Sequence, residues 1–139
     1  KGISCKYVDF FHLSERIRSC LGDRSDIKPA DILEPLVEVP ILAIDELGKG
    51  MCTPFEIHII DQLITRRYNA TRPVLVTTNY WPERMMPQAG ELNVQPGRTL
   101  KKIGESLEER TDERIVSRLY EMCDLIEVKV QDYRYGSNA

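Results

Sequence analysis

Apolar residues recur along this chain in two rhythms, one of strands and one of helices. Ser4 to Val8 alternates weakly and predicts a strand. Asp9 then caps a predicted helix whose apolar positions Phe10, Leu13, Ile17 and Leu21 recur at helical spacing, with Gly22 as its stop. Pro29 opens a short helical turn through Leu33, which Pro35 interrupts. Val39 to Ile44 is a short apolar run closed by Asp45 and Glu46, the pattern of a buried parallel strand with charge at its C-terminal end. Pro40 fits its first position, where a missing N–H does least harm. Gly48-Lys49-Gly50 follows as a flexible loop.

Thr53-Pro54-Phe55-Glu56 is a clear helix start: Thr53 caps, Pro54 takes the first helical position and Glu56 completes a capping box. Ile57, Ile60, Ile64 and Tyr68 share one face, which Phe55, Ile59 and Leu63 broaden into a surface that packs on a sheet. Asn69 ends this helix. Val74 to Asn79 is a second short buried strand ending in polar residues. From about residue 81 to 105 the pattern dissolves into a loop punctuated by Pro82, Pro87, Gly90, Pro96 and Gly97. Ser106 to Glu109 repeats the capping-box spacing, and Thr111 offers a second cap. Ile115, Val116, Leu119, Tyr120 and Met122 supply the buried face of a helix reaching Cys123, and Leu125 to Val130 is a last strand. Strands alternating with helices predict an α/β fold, a parallel sheet covered by helices on both faces.

Composition narrows the function classes. At 139 residues the chain has room for a single domain with a real core. A net charge of −3 argues against wholesale coating of nucleic acid, though a local basic patch is compatible with it. No apolar run reaches membrane-spanning length and no signal peptide opens the chain. Cys5, Cys20, Cys52 and Cys123 are scattered without metal-ligand spacing, so they read as reduced thiols of a cytoplasmic protein. His12 and His58 lack ligand-spaced partners and read as structural.

The candidate chemistry gathers at strand ends. Asp45 can hold a hydrated Mg²⁺ and Glu46 can polarise a water, or the pair is a solvated turn. Asn79 either contacts a ligand or caps the following turn. Arg114 and Arg118 are four residues apart and share a helix face. Arg66, Arg67 and Arg72 form a small basic cluster that suits a DNA backbone, or equally the negative end of a helix dipole.

These segments, in this order, resemble the AAA+ ATPases, in particular the bacterial helicase-loader and transposition-helper branch, the DnaC/IstB-like proteins. The carrying residues are Ile41-Leu42-Ala43-Ile44-Asp45-Glu46-Leu47-Gly48, Arg67-Tyr68-Asn69, Arg72 to Asn79, Glu113 to Leu119 and Asp132-Tyr133-Arg134. The match spans nearly the whole chain except the loop from Arg84 to Glu105. The resemblance implies a P-loop NTPase-type sheet, ATP and Mg²⁺ as cofactors, and action on DNA as a helicase loader or transposition helper. It makes Asp45 the Walker B aspartate that contacts Mg²⁺ through water, and Glu46 the glutamate that activates the attacking water. Asn79 matches the sensor 1 residue that positions that water. Arg118 matches the arginine finger supplied to a neighbouring subunit's ATP, with Arg114 second for that role; the other reading of Arg118 is a surface ion pair with Glu121 or Glu113. Arg134 either touches phosphate or seals the fold. The implied partners are further copies of the chain across nucleotide-bridged interfaces, a replicative helicase or a transposase, and single-stranded DNA, with no membrane.

One departure bears on the chemistry. No phosphate loop of the form GxxxxGK followed by Ser or Thr occurs in the sequence. In this family the loop precedes the first residue here, so the chain reads as the C-terminal part of an ATPase domain. It lacks the N-terminal strand, which would also be the sheet's centre, and it is expected to be inactive alone. The competing expectation is a non-hydrolysing DNA- or protein-binding module on a degenerate ATPase scaffold.

Overall fold

The computed structural model describes residues 2–21, 26–50, 52–86 and 105–128. Its elements are β1 (Cys5–Asp9), α1 (Phe10–Ser19), α2 (Pro29–Glu38), β2 (Ile41–Asp45), α3 (Pro54–Asn69), β3 (Val74–Val76), a 3-10 turn at Glu83–Met85, α4 (Leu107–Arg110) and α5 (Glu113–Met122). The three strands form a parallel sheet in the order β1-β2-β3. Register pairs Cys5 with Ile41 through to Asp9 with Asp45, and Leu42 with Val74 through to Ile44 with Val76.

Each crossover steps to the next strand in one direction. Since such crossovers are right-handed, the intervening helices fall on one face of the sheet. The burial pattern agrees. Leu42, Ile44 and Val74 are buried beneath Phe10, Leu13, Ile17, Leu36, Ile60, Leu63 and Ile64, with Ile115, Val116 and Leu119 of α5 in the same core. On the opposite face Tyr7 is 66% exposed and Leu75 62% exposed. The sheet is thus flanked by helices, and among the described residues the expected second covering layer is missing.

Local signals account for most boundaries. Asp9 accepts from the His12 amide at 3.0 Å to start α1, and the Thr53–Glu56 capping box starts α3, with Thr53 N donating to Glu56 Oε2 at 2.7 Å. Four expectations are corrected. Helix α1 ends at Ser19 with Cys20 as its cap, leaving Leu21 57% exposed and outside the core. Helix α2 runs through Pro35 to Glu38. An interior proline costs about 3 kcal/mol, but burying Leu33, Leu36 and Val37 returns about 1.5–3 kcal/mol each, so packing wins. The second cap is Asp112, whose Oδ1 accepts from Arg114 N at 2.8 Å, while Thr111 closes α4 instead. Residues 123–128 form no strand; Ile126 there is 80% exposed and nothing described pairs with it. Gly22, the centre of the long loop, the end of the expected last strand and Asp132-Tyr133-Arg134 lie outside the described residues.

The described ends of the long loop are pinned together. Leu107 N donates to Trp81 O at 2.9 Å, Glu83 N donates to Glu108 Oε2 at 2.9 Å, and Arg84 stacks on the Tyr120 ring. These contacts hold the start of α4 and the Tyr120 ring of α5 against residues 81–84.

Candidate functional site at the strand ends

Asp45 ends β2 between the ends of β1 and β3, and both neighbours hold it. Tyr7 Oη donates to Asp45 Oδ2 at 2.5 Å, and Thr77 Oγ1 donates to Asp45 Oδ1. The Thr77 hydroxyl first, then the Tyr7 hydroxyl, keep the Asp45 carboxyl below the usual carboxylate range. Tyr7 is correspondingly pushed up, chiefly by the bond to Asp45. Asp9, the in-register neighbour, spends a carboxylate oxygen on the α1 cap.

The residue after Asp45 is conformationally unusual. Glu46 has φ +54°, a left-handed backbone that side chains seldom adopt outside functional turns. Threonines of the next strand end fix it there: Glu46 N donates to Thr77 Oγ1 at 3.0 Å, Leu47 N to Thr77 O at 2.9 Å, and Thr78 Oγ1 to Leu47 O at 2.8 Å. The Glu46 carboxylate pairs with Lys49, whose ammonium is raised in pKa chiefly by that bond. Gly48 has φ +88°, and a Cβ there would stand 3.0 Å from the Tyr80 ring. Glycine is therefore required twice over.

Arg110 closes the turn from behind. It donates through Nε to Gly48 O at 3.0 Å and through Nη2 to Gly50 O, pairs with Glu105 at 2.8 Å, and lies 5.1 Å from the Tyr80 ring centroid. Sequence reasoning placed Thr77 at a strand end without a role of its own, and missed Tyr7 and Arg110. Strand parity could have found Tyr7 and the role of Thr77, since Tyr7, Asp45 and Thr77 share a sheet face in this register. No motif marks Arg110.

Asn79 is exposed, and among the described residues its side chain has no hydrogen-bond partner. The turn that was its alternative role is capped instead by Thr78, whose Oγ1 accepts from Tyr80 N at 3.2 Å. Asp45, Glu46 and Asn79 therefore stand on adjoining strand ends, with the asparagine unspent.

The arginines lie elsewhere. Arg118 Nη1 pairs with Asp61 of α3 at 3.2 Å, the two side chains being 28% and 29% exposed. Neither Glu121 nor Glu113 is its partner; Glu121 instead accepts from Tyr68 Oη. Arg114 is mostly exposed and touches Asp112 at 3.2 Å. Among the described residues no hydrogen bond joins either arginine to Asp45, Glu46 or Asn79.

Arg67 is a correction to the basic cluster. It is fully buried, and its Nη1 donates to Leu36 O, Val37 O and Val39 O at 2.7, 3.0 and 2.8 Å. Its Nη2 donates to Pro40 O at 3.3 Å and Pro73 O at 2.6 Å. Burial lowers its pKa, helped by the neighbouring Arg72 charge. A guanidinium committed to the carbonyls at the end of α2 cannot meet a phosphate, so Arg67 leaves the candidate set. Arg72 Nη1 also serves Val37 O at 2.7 Å, and Arg66 pairs with Glu34 at 2.6 Å on the surface.

Mg²⁺ prefers hard oxygen ligands and keeps most of its waters, so one well-held carboxylate suits it. Asp45 meets that demand: it is anionic, held on both oxygens, and each oxygen retains a lone pair beyond its hydroxyl bond. Among the described residues no group of three or more His, Cys, Asp and Glu side chains could bind a metal ion on its own. The site fits the water-mediated metal contact, and the loop that would cradle phosphates is not in this sequence.

No protein-family model and no curated protein matches the chain. Among solved structures it is similar to the crystal structure of the DnaC helicase loader, with a TM-score of 0.67 and 28% identity over 93% of this chain. The chain spans 63% of that protein's chain. The fold is of the P-loop NTPase type, like that of DnaC, and no helix among the described residues is long and apolar enough to cross a membrane.

Proposed function

We propose that the protein carrying this chain is a Mg²⁺-dependent AAA+ ATPase that acts as a loader of a replicative helicase. The observation that carries this reading is the strand-end arrangement of a clamped Asp45, an adjacent Glu46 in a left-handed turn and an unspent Asn79. It occurs in a chain whose structural neighbour is titled a helicase loader. A transposase is the alternative client on the same scaffold.

Within this reading Asp45 would hold a hydrated Mg²⁺, which would supply charge neutralisation at the phosphates of ATP. Glu46 accepts the proton of the attacking water and Asn79 orients that water. Glu46 Oε2 must leave Lys49 to take part, because its lone pair facing the ammonium is already engaged. Arg118, or Arg114 beside it, serves a neighbouring subunit's nucleotide across a self-associated interface. Arg66 and Arg72 are the remaining candidates for single-stranded DNA. The test is Glu46→Gln in the full-length protein, with ATP binding and phosphate release measured side by side. Retained binding with turnover lost supports the assignment; wild-type turnover refutes it.

The second reading is a non-hydrolysing module that uses the scaffold to bind DNA or protein. A phosphate loop in the full-length protein would favour the ATPase, and its absence there would favour this module. It requires the full-length protein to bind no ATP.

A further inference from the structure

Tyr7 is an exposed aromatic residue whose one polar atom is committed to the candidate metal-contacting acid. It sits in β1 opposite Ala43, two residues before the partner of Asp45, so its phenol reaches along the sheet to Oδ2 at 2.5 Å. From the other side Thr77 donates to Oδ1 and accepts from the Glu46 amide at 3.0 Å. The carboxylate is therefore gripped through both oxygens by two strands that flank its own. Among the described residues packing does not account for the position of Tyr7, which is 66% exposed.

We propose that Tyr7 and Thr77 are positioning residues that fix the Asp45 carboxylate for a hydrated divalent cation, with Thr77 also fixing the Glu46 turn. This rests on the ATPase reading of the same site. A free aspartate side chain rotates and must be ordered when the ion arrives; a clamped one has met that cost on folding. The hydroxyl bonds occupy one lone pair on each oxygen and leave the others for metal-bound water. The two residues differ in what they hold. Tyr7 governs the metal contact alone, whereas Thr77 governs the metal contact and the water-activating turn.

The experiment uses the full-length protein and follows equilibrium binding of a fluorescent ATP analogue as Mg²⁺ is titrated, with melting temperature measured in parallel. Tyr7→Phe should raise the Mg²⁺ midpoint about three- to tenfold, the loss of one hydrogen bond to a charged group. The rise should persist at temperatures well below the melting point of the variant, so that lost stability does not account for it. Thr77→Val should raise the midpoint and also cut turnover at saturation, and Thr77→Ser should restore both. In an Asp45→Asn background, Tyr7→Phe should add no further shift. An unchanged midpoint in Tyr7→Phe, with wild type showing Mg²⁺-dependent binding, overturns the positioning role and leaves the ATPase reading standing. Wild-type protein that binds no nucleotide at any Mg²⁺ concentration overturns both.

Discussion

The Arg118 guanidinium lies 3.2 Å from the Asp61 carboxylate, tying α5 to α3 across the surface of the molecule. A residue that reaches a neighbouring subunit's phosphate should be exposed and lack a buried carboxylate partner; Arg118 is 28% exposed, and its partner Asp61 is 29% exposed. Both side chains are under a third exposed, so the pair is only partly screened by water and separating it costs on the order of 1 kcal/mol. A nucleotide phosphate can therefore outcompete Asp61 as the partner.

That competition gives the first prediction. Arg118→Ala should leave ATP binding nearly intact and reduce hydrolysis by about 10³-fold or more, the range measured for such fingers. Mixing Arg118→Ala with Glu46→Gln subunits should restore phosphate release at the interfaces where intact residues meet. Asp61→Asn should leave hydrolysis at or above the wild-type rate. No recovery at any mixing ratio, in assemblies shown to exchange subunits, would return Arg118 to an intramolecular tie.

Arg67 yields a stability prediction with the opposite balance. Its donors serve the carbonyls of Leu36, Val37, Val39, Pro40 and Pro73 in the interior. Arg67→Met should cost on the order of 3 kcal/mol or more in urea unfolding, because several buried acceptors lose their partner together. Arg67→Lys should recover only part of this, lacking the planar fork. Arg66→Ala, on the surface, should cost under about 1 kcal/mol. If Arg66 and Arg72 meet DNA, replacing both should flatten the salt dependence of single-stranded DNA binding; an unchanged slope confines them to their contacts with Glu34 and Val37.

Gly48→Ala tests the turn behind Glu46. The substitution meets a φ of +88° and a Tyr80 ring atom at 3.0 Å. It should lower stability by about 1–2 kcal/mol. Gly48→Ala combined with Tyr80→Ala should stay below Tyr80→Ala alone in melting temperature, since removing the ring relieves the contact and leaves the backbone strain.

The Asp45 clamp should also be visible in acid. Its folded pKa is depressed by Thr77 and then Tyr7. The stability it contributes is thus fully present above the ordinary aspartate pKa of about 3.9 and is lost as pH falls through the lower folded value. The melting-temperature gap between wild type and Asp45→Asn should be constant from neutral pH to about pH 5 and shrink below about pH 4. A gap that closes on the alkaline side would contradict the direction.

Much of this molecule was legible before its structure. The strands at residues 4–8, 39–45 and 74–79, the Thr53–Glu56 helix start and the Asp45-Glu46 strand end all carry strong local signals; each starts within about two residues of its expected place, and the third strand stops at Val76, three residues before Asn79. Long-range balances were not legible. Pro35 looked like a breaker because the burial of Leu36 and Val37 cannot be weighed until α2 has something to pack on. Leu125 to Val128 looked like a strand because its residues favour one, and strand propensity supplies no pairing partner. Arg67 looked like a surface cation because helix-end arginines usually are, and only the convergence of α2, β2 and β3 makes it internal. Tyr7 and Thr77 become legible only once the strand register puts them on the face of Asp45, and Arg110 reaches its loop from far along the chain with no motif to mark it.

The one-way order of the strands also bears on how this molecule is made. Each described strand pairs only with the strand next to it in sequence, through a crossover that packs on the same face. No described strand waits for a later one to insert between it and its neighbour. The sheet can therefore grow in step with synthesis, β1 with β2 and then β2 with β3, each step closing a modest loop. On that route the Asp45 site is finished late. Asp45 and Tyr7 meet at the first pairing, but the Glu46 turn sets only when Thr77 arrives, so its geometry reports that the third strand is in place.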